Sequence, residues 1–306
     1  MSVLSRPGAA AIAAKAFQGA VRLSRRADTR TARRFQIFPG DRTELTVPTS
    51  VAPARITVYR PATGESSPPV HVNLHGGGYV LPLTELDDPL CRYLAARAGA
   101  VVINVDYVLA PRQRFPAAPR QCFEVVRWVA AHGAEHGWDG GRLSVGGQSA
   151  GGGLAAAVAR QALEDGGPEI ALQVLHYPHL DFTTRSEDKH SAAAKPILRP
   201  WMMEIFENAY VPDPEVRFDR LASPAGHADT ADLTGIAPAL IITAGHDLLR
   251  AEGLRYAERL RTADALVGHL DIADVDHGYD VEDGSKALEV YAVIARHLRQ
   301  CVHRPR

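Results

Sequence analysis

The feature that most constrains the fold of this chain is a regular alternation of short apolar runs with longer helical patterns. Several of the runs are almost entirely apolar, such as AVVINV at 100–105 and ALIITA at 239–244. Strands without a polar face are typical of a sheet that is covered on both sides, and strands separated by helices pair in parallel. The alternation predicts an α/β fold with a mostly parallel central sheet and helices on both faces.

The individual elements follow from apolar runs that end at Gly, Pro and polar residues. Strands are predicted at Ile56–Tyr59, Val70–Leu74, Val101–Tyr107, Leu143–Gly146, Ala171–Tyr177, Ala239–Ala244 and Leu266–Ala273. Helices are predicted near 87–98, 118–132, 150–164, 251–263 and 285–300, with a short one at Trp201–Tyr210. Several prolines break the alternation between about 183 and 235, which indicates one domain with an insertion.

The first 34 residues carry eight Lys or Arg residues and a single acid, Asp28. They lack the clear order of basic region, apolar core and cleavage site that a secretion signal has. Six apolar residues instead share one helical face: Ala9, Ile12, Ala13, Ala16, Phe17 and Ala20. The pattern predicts an amphipathic helix that packs on its own domain rather than on a membrane. No stretch is long and apolar enough to predict a membrane span.

Composition narrows the class of protein further. A formal net charge of -1 over 306 residues gives no electrostatic reason to expect a nucleic-acid partner. The three cysteines are far apart, so neither a disulfide framework nor a zinc site is predicted, and a cytoplasmic location is expected. His132 and His136 are four residues apart, but they have no apparent third ligand, so we expect no metal site.

The segment GGQSAGGG at 146–153 places Ser149 between a predicted strand and a predicted helix. The spacing Gly147-x-Ser149-x-Gly151 is typical of a nucleophilic serine on a sharp turn, where glycines avoid collisions with neighbouring backbone. A phosphate-binding loop would need Lys and Ser or Thr at 152 and 153, which are both glycine. A dinucleotide-binding fingerprint would lie inside the helix, so the nucleophile is the better interpretation.

A second glycine cluster, HGGGY, directly follows the second predicted strand. Consecutive glycines let backbone N–H groups approach a ligand closely. N–H groups fixed near a reacting carbonyl stabilise the negative oxygen that forms there. We predict an oxyanion hole formed by the N–H groups of Gly77, Gly78 and Ala150, with His75 and Gly76 supporting the loop.

A nucleophilic serine needs a base, and the base needs a carboxylate that orients it. Asp247 comes just after the predicted strand ALIITA, and His277 just after the last predicted strand. Because parallel strands end at one edge of a sheet, both side chains are expected beside Ser149. The chain order Ser, Asp, His is that of α/β-hydrolases. Asp274 and Asp276 remain alternatives for the orienting carboxylate.

Several motifs in one order resemble the bacterial hormone-sensitive-lipase-like carboxylesterases, also called family IV esterases. They are HGGGY, VDYVLAP followed by FPAA, GGQSAGGG, YPHLDF, AGHDLLRAEG and DHGY, within about residues 55 to 300. The resemblance implies an α/β-hydrolase fold with a small helical cap, hydrolysis of short- to medium-chain acyl esters, no cofactor and a possible homodimer. It implies an arm at 1–45 that contributes to the cap and a catalytic domain at 46–306, with a cap insertion at about 184–220.

Three positions depart from the pattern of this family. Gln148 stands where the family usually has an acid, Val108 where it has an arginine, and Arg112 where it tends to have an acid. Losing an acid and an arginine together is what replacing an ion pair by a neutral contact would produce. We therefore hypothesise that Gln148 and Val108 lie in contact behind the nucleophile turn.

The sequence predicts a serine carboxylesterase that acts on a small-molecule ester through an acyl-enzyme intermediate. Two alternatives stay open, namely an amidase or lactonase on the same three residues and a hydrolase fold that binds without catalysis. The substrate is not fixed by the sequence. Four aromatic residues are candidates for the pocket lining from their position alone: Tyr79, Trp201, Phe206 and Tyr210.

Overall fold

The computed structural model describes residues 3–27, 38, 40–62, 65–282 and 284–302. Part of the predicted N-terminal arm, residues 1–2, 28–37 and 39, lies outside the described residues.

Eight strands form one sheet in the described part of the chain. They are β1 (Arg42–Val47), β2 (Ala54–Tyr59), β3 (Pro69–Leu74), β4 (Val101–Asp106), β5 (Asp139–Gln148), β6 (Leu172–His176), β7 (Ala239–Ala244) and β8 (Leu266–Ile272). Their order in the sheet is β1-β2-β4-β3-β5-β6-β7-β8. β2 runs antiparallel to β1 and β4, and the other neighbouring pairs are parallel. The predicted mostly parallel sheet is confirmed, with β1 as an additional strand at its edge.

Nine α-helices lie in the described part of the chain. They are α1 (Pro7–Ala27), α2 (Asp88–Ala98), α3 (Ala117–Ala131), α4 (Gly133–His136), α5 (Ala150–Glu164), α6 (Pro200–Tyr210), α7 (Arg250–Thr262), α8 (Tyr279–Glu282) and α9 (Gly284–Val302). Seven of the nine lie near their predicted positions, and the sequence pattern does not predict the short α4 and α8. The predicted insertion holds α6 between β6 and β7. No helix in the described ranges is both long and apolar enough to cross a bilayer.

Two apolar cores cover the two faces of the sheet. Along β7, Ala239 and Ile241 belong to the core that includes side chains of α3, α5 and α7. The alternate residues Leu240 and Ile242 belong to the core that includes α2 and α9. Successive side chains of a strand point to opposite faces, so a continuous apolar run fills both cores. The expected helices on both faces are confirmed.

The N-terminal helix α1 packs against α6. Its Phe17 ring makes edge-to-face contacts with two aromatic rings of α6. The Gln18 amide donates hydrogen bonds to the carbonyl oxygens of Val80, at 2.8 Å, and Ala110, at 2.9 Å. The helix is therefore fixed to its own domain, as predicted. The predicted apolar face is only partly right, because the helix packs through the side that carries the buried Ala10 and Ala14. Ile12, Ala16 and Ala20 of the predicted face are exposed.

Candidate active site

Ser149 occupies the turn between β5 and α5, with φ 55° and ψ -116°. A positive φ is unfavourable for a residue with a Cβ, so surrounding contacts must hold the turn. The Ser149 N–H donates to the carbonyl oxygen of His176 at 2.9 Å, and its carbonyl oxygen accepts from the N–H of His179 at 3.0 Å. The backbone after β6 thus fixes the serine at the carboxyl edge of the sheet.

The glycines on either side of Ser149 allow this turn to lie directly against the end of β3. A Cβ on Gly147 or on Gly151 would collide with the carbonyl oxygen of Leu74. A Cβ on Gly76 would lie 3.7 Å from the Cβ of Ser149, so the HGGGY loop contacts the turn. The predicted supporting glycines therefore bring the two glycine-rich segments together.

His277 connects Ser149 to Asp247. The His277 Nε2 atom lies 2.9 Å from Ser149 Oγ, and its Nδ1 atom lies 2.8 Å from Asp247 Oδ2. A carboxylate oxygen only accepts, so Nδ1 carries the proton of the neutral ring and Nε2 is free to accept the serine proton. The structure brings these three predicted residues together in a continuous hydrogen-bonded relay.

The surroundings of His277 favour its protonated form. Burial is the largest effect on the pKa of His277 and lowers it, but the charge and hydrogen bond of Asp247, with smaller contributions from Asp276 and Asp280, together raise it by more. The pKa therefore lies above the ordinary value for histidine. Asp247 is itself buried, and its other carboxylate oxygen accepts the N–H of Leu249 at 3.0 Å. This arrangement suits a base that must hold a proton temporarily.

The loop after β3 turns sharply beside the serine. Gly77 and Gly78 have φ values of 110° and 60°, which side chains with a Cβ rarely adopt. Their N–H groups donate none of the hydrogen bonds found among the described residues. Ala150 is the first residue of α5, so its N–H has no acceptor within that helix. Ring stacking of His75 on Tyr107, with centroids 4.3 Å apart, supports the start of the loop.

Ser149 and His277 open into a cavity of about 180 Å³. Its wall is mainly apolar and includes Leu81, Leu83, Leu86, Leu198, Met202, Met203 and Phe206, together with the three glycines at 76–78. Of the four aromatic candidates, Phe206 lines this cavity. Tyr79 and Tyr210 instead stack on each other with centroids 4.1 Å apart, and Trp201 is partly exposed against α1. A larger cavity of about 560 Å³ lies near the opposite ends of β5, β6 and β7, remote from the relay.

The alternative carboxylates serve other groups. Asp276 accepts the N–H groups of His277 and Ile197, both at 2.8 Å, and so holds the loop rather than the imidazole. Asp274 is exposed. In the described part of the chain, no group of three or more His, Cys, Asp or Glu side chains is arranged to hold a metal ion.

Sequence reasoning did not find Asp280. This buried carboxylate accepts hydrogen bonds from the side chains of Gln148, Tyr177 and Tyr291. The one indication of its importance in the sequence is its position, three residues after His277. The hypothesis that Gln148 contacts Val108 did not include Asp280 as a partner of Gln148. The Val108 N–H donates to the side chain of Gln121 on α3, at 2.7 Å.

Comparisons with known proteins agree with this fold. Residues 71–281 match a family described as having the α/β hydrolase fold. The chain is 35% identical to the esterase LipI of Mycobacterium tuberculosis over 77% of this chain and 74% of LipI. It is 37% identical to the carboxylesterase NlhH of the same organism over 73% of this chain and 70% of NlhH.

Solved structures give the same result. An esterase of Pyrobaculum calidifontis superimposes with a TM-score of 0.85 and 34% identity, over 94% of this chain and 92% of that one. The thermostable carboxylesterase EstE1, from a metagenomic library, superimposes with a TM-score of 0.83 and 30% identity over 100% of both chains. This chain therefore belongs to the α/β-hydrolase fold family, in the hormone-sensitive-lipase-like group that its motifs resemble.

Proposed function

We propose that the protein is a serine carboxylesterase that hydrolyses short- to medium-chain acyl esters through an acyl-enzyme intermediate. The observation that carries this proposal is the relay from Ser149 through His277 to Asp247 at the wall of an apolar cavity. Further support comes from the relatives, which are named as esterases and carboxylesterases.

In the first half of the reaction, Ser149 Oγ bonds to the ester carbonyl carbon while His277 Nε2 takes the hydroxyl proton. Asp247 holds the imidazole in the required tautomer and stabilises the imidazolium. The negative charge that forms on the former carbonyl oxygen is stabilised by the N–H groups of Gly77, Gly78 and Ala150. Collapse of this intermediate breaks the ester C–O bond, and His277 gives its proton to the departing alcohol.

The second half releases the acid. A water molecule gives a proton to His277 as its oxygen bonds to the acyl carbon, and the same N–H groups stabilise the second oxyanion. The bond to Ser149 Oγ then breaks, and His277 returns the proton to the serine. Atoms and charge balance with water as the only co-substrate, so the proposed reaction requires no cofactor.

The cavity supports the short end of the acyl range. Its volume of about 180 Å³ is below the range of roughly 300–1,000 Å³ that is typical of ligand pockets. Leucine, methionine and phenylalanine side chains form most of the wall, so an uncharged acyl chain is the group that fits. We expect activity to decline once the acyl chain is longer than the cavity.

A series of nitrophenyl esters from acetate to decanoate tests the proposal. We expect turnover of the short members by the wild-type protein and none by Ser149→Ala, with an unchanged circular dichroism spectrum. Faster hydrolysis of matched amides or lactones would favour that alternative. Absence of turnover on all of them, with no labelling of Ser149 by a fluorophosphonate, would favour a binding protein without catalysis.

The division of the chain also belongs to this proposal. We propose that the arm at 1–45 and the insertion at about 184–220 form a cap on a catalytic domain at 46–306, which the packing of α1 on α6 supports. A cytoplasmic location also belongs to this proposal, and it rests on the wide spacing of the three cysteines in the sequence, which is not that of a disulfide framework. A homodimer remains a proposal from the resemblance alone, and sedimentation of the purified protein tests it.

A further inference from the structure

Asp280 is a carboxylate with an unusual environment. Its side chain is buried, with 1% relative exposure, in the short helix α8. Its Oδ1 atom accepts the hydroxyl of Tyr177 at 2.6 Å, and its Oδ2 atom accepts the hydroxyl of Tyr291 at 2.9 Å. The Gln148 amide Nε2 also donates to Oδ2. Three donors from three separate elements therefore converge on one carboxyl group.

All three of these partners are neutral. None of the ion pairs found in the described part of the chain includes Asp280. Burial and the Asp280 charge raise the pKa values of Tyr177 and Tyr291 well above the usual range, so both hydroxyls keep their protons and donate. A buried carboxylate without a cation is costly, and it persists only where donors compensate it. Such a cost at this position indicates a use for the negative charge.

Tyr177 connects this carboxylate to the relay. Its ring meets the His277 ring edge to face, with centroids 4.8 Å apart and an interplanar angle of 60°. Its backbone is held at a φ of 35°, directly after β6. A tyrosine at positive φ is strained, and the surrounding structure must fix it. The hydrogen bond from its hydroxyl to Asp280 fixes the far end of the ring that supports the imidazole.

We propose that Asp280 is a positioning residue for the reaction, acting through Tyr177 on the orientation of His277 and through its charge on the imidazolium formed during turnover. This inference rests on the proposed function, because an imidazolium forms only if His277 acts as the base. Asp247 holds one ring nitrogen directly, whereas Asp280 acts on the ring from a second direction.

Gln148 gives this arrangement its particular form. It directly precedes Ser149, and its amide donates to Asp280 rather than competing with it. An acid at position 148 would place two carboxylates against each other, and one of them would have to take a proton. The neutral amide therefore lets the charge of Asp280 act beside the nucleophile turn without repulsion.

Within the described ranges, the titratable groups that face His277 are of two kinds, carboxylates and rings. The carboxylates are Asp247 after β7, Asp276 directly before His277 and Asp280 on α8. The other titratable rings near it are Tyr177 and His176, and burial lowers the pKa of His176 to about 4, which leaves that ring neutral at pH 7. Removal of one carboxylate charge should therefore produce a measurable change in the pKa of His277.

The test compares Asp280→Asn with the wild-type protein in two measurements. We expect the acid limb of the kcat/KM pH profile to move down by about half a pH unit or more, because one negative charge beside the imidazole is lost. We expect kcat at pH 8 to fall about tenfold, from loss of orientation and imidazolium stabilisation, with KM within about twofold. Titration of the His277 ring by NMR should show the same downward shift without any turnover.

Asp271→Asn is the matched control, since it removes one carboxylate from β8 that pairs with Arg250 on the surface. Its acid limb should stay where the wild-type limb is. If Asp280→Asn and the control have the same acid limb in the kcat/KM pH profile and the same kcat, the inference is overturned and the proposed function stays intact. If the wild-type protein is inactive but the His277 titration still moves down in Asp280→Asn, the proposed function would be overturned and the electrostatic coupling of Asp280 to His277 would stand.

If Asp280→Asn does not fold, Tyr177→Phe replaces it, because that variant keeps the ring and removes only the hydroxyl. We expect its kcat to fall several-fold with KM unchanged. An unchanged kcat in folded Tyr177→Phe would overturn the positioning role.

Discussion

Gln18 on α1 ties the N-terminal helix to the loop that carries the proposed oxyanion hole. Its amide donates to the carbonyl oxygen of Val80, two residues after Gly78, and to that of Ala110. The N–H of Ala110 in turn donates to Tyr79 in the same loop, at 2.9 Å. One side chain of the arm thus bonds to this loop and to the loop after β4, and the two loops are bonded to each other.

Gln18→Met keeps the length and the helix propensity of the side chain and removes both donors. Each lost hydrogen bond in a partly buried site costs about 1 kcal/mol, so the free energy of unfolding should fall by about 2 kcal/mol. The loop loses an anchor as well, and a displacement of about 1 Å at a reacting group can cost about 100-fold in rate. We expect kcat on a nitrophenyl ester to fall about tenfold to 100-fold.

Urea unfolding and steady-state kinetics measure the two effects on the same protein. Lys15→Gln is the control, because Lys15 is exposed on the same helix. It should leave both quantities unchanged. A Gln18→Met protein with lower stability but wild-type kcat would refute the link between α1 and the oxyanion loop, and no change in either quantity would refute the hydrogen bonds as an anchor.

Three further predictions follow from the geometry. A Cβ on Gly151 would collide with backbone atoms, so Gly151→Ala should lower the free energy of unfolding by about 1–3 kcal/mol. Gly19 on α1 has open space around it, so Gly19→Ala should raise that free energy by about 0.5–1 kcal/mol, and urea unfolding of both variants tests the two values. The pKa of His277 is raised, so wild-type kcat/KM should be lost as pH falls through a midpoint above about 6.5, and a midpoint below about 6 would contradict this electrostatic description. Burial lowers the pKa of His71 to about 3 in the folded protein, so the unfolded chain binds a proton at this residue first as the pH falls. The free energy of unfolding should therefore fall by about 2 kcal/mol between about pH 6.5 and 5, and chemical unfolding of His71→Asn should lack that part of the pH dependence.

Much of the sheet could be predicted because burial leaves a local signal. The strand Ala239–Ala244 has the same bounds in the sequence prediction and in β7, since its side chains fill a core on each face. β1 left little signal, because it lies at the sheet edge and most of its side chains are exposed. β5 begins at Asp139, four residues before the prediction, because Asp139 still pairs with Pro69 of β3 beyond an irregularity at residues 140–142, which are polar or glycine and carry no apolar signal.

The three relay residues could be predicted for a related reason. Each follows a strand, and the ends of parallel strands meet at one edge whatever the details of packing. The contacts of Gln18 and Gln148 could not be predicted in this way. Gln18 bonds to carbonyl groups 62 and 92 residues away, and Gln148 to a carboxylate 132 residues away. Such pairs depend on how whole elements pack, and no local pattern encodes them.

The acyl-enzyme intermediate is the most direct test of the relay. The wild-type protein is mixed with a nitrophenyl ester, quenched in acid within milliseconds and digested, and the peptide that contains Ser149 is weighed by mass spectrometry. We expect that peptide to carry the mass of the acyl group, and we expect the adduct to be absent from His277→Ala, which lacks the base. An acyl group on a different residue, or equal acylation of Ser149 without His277, would contradict the account.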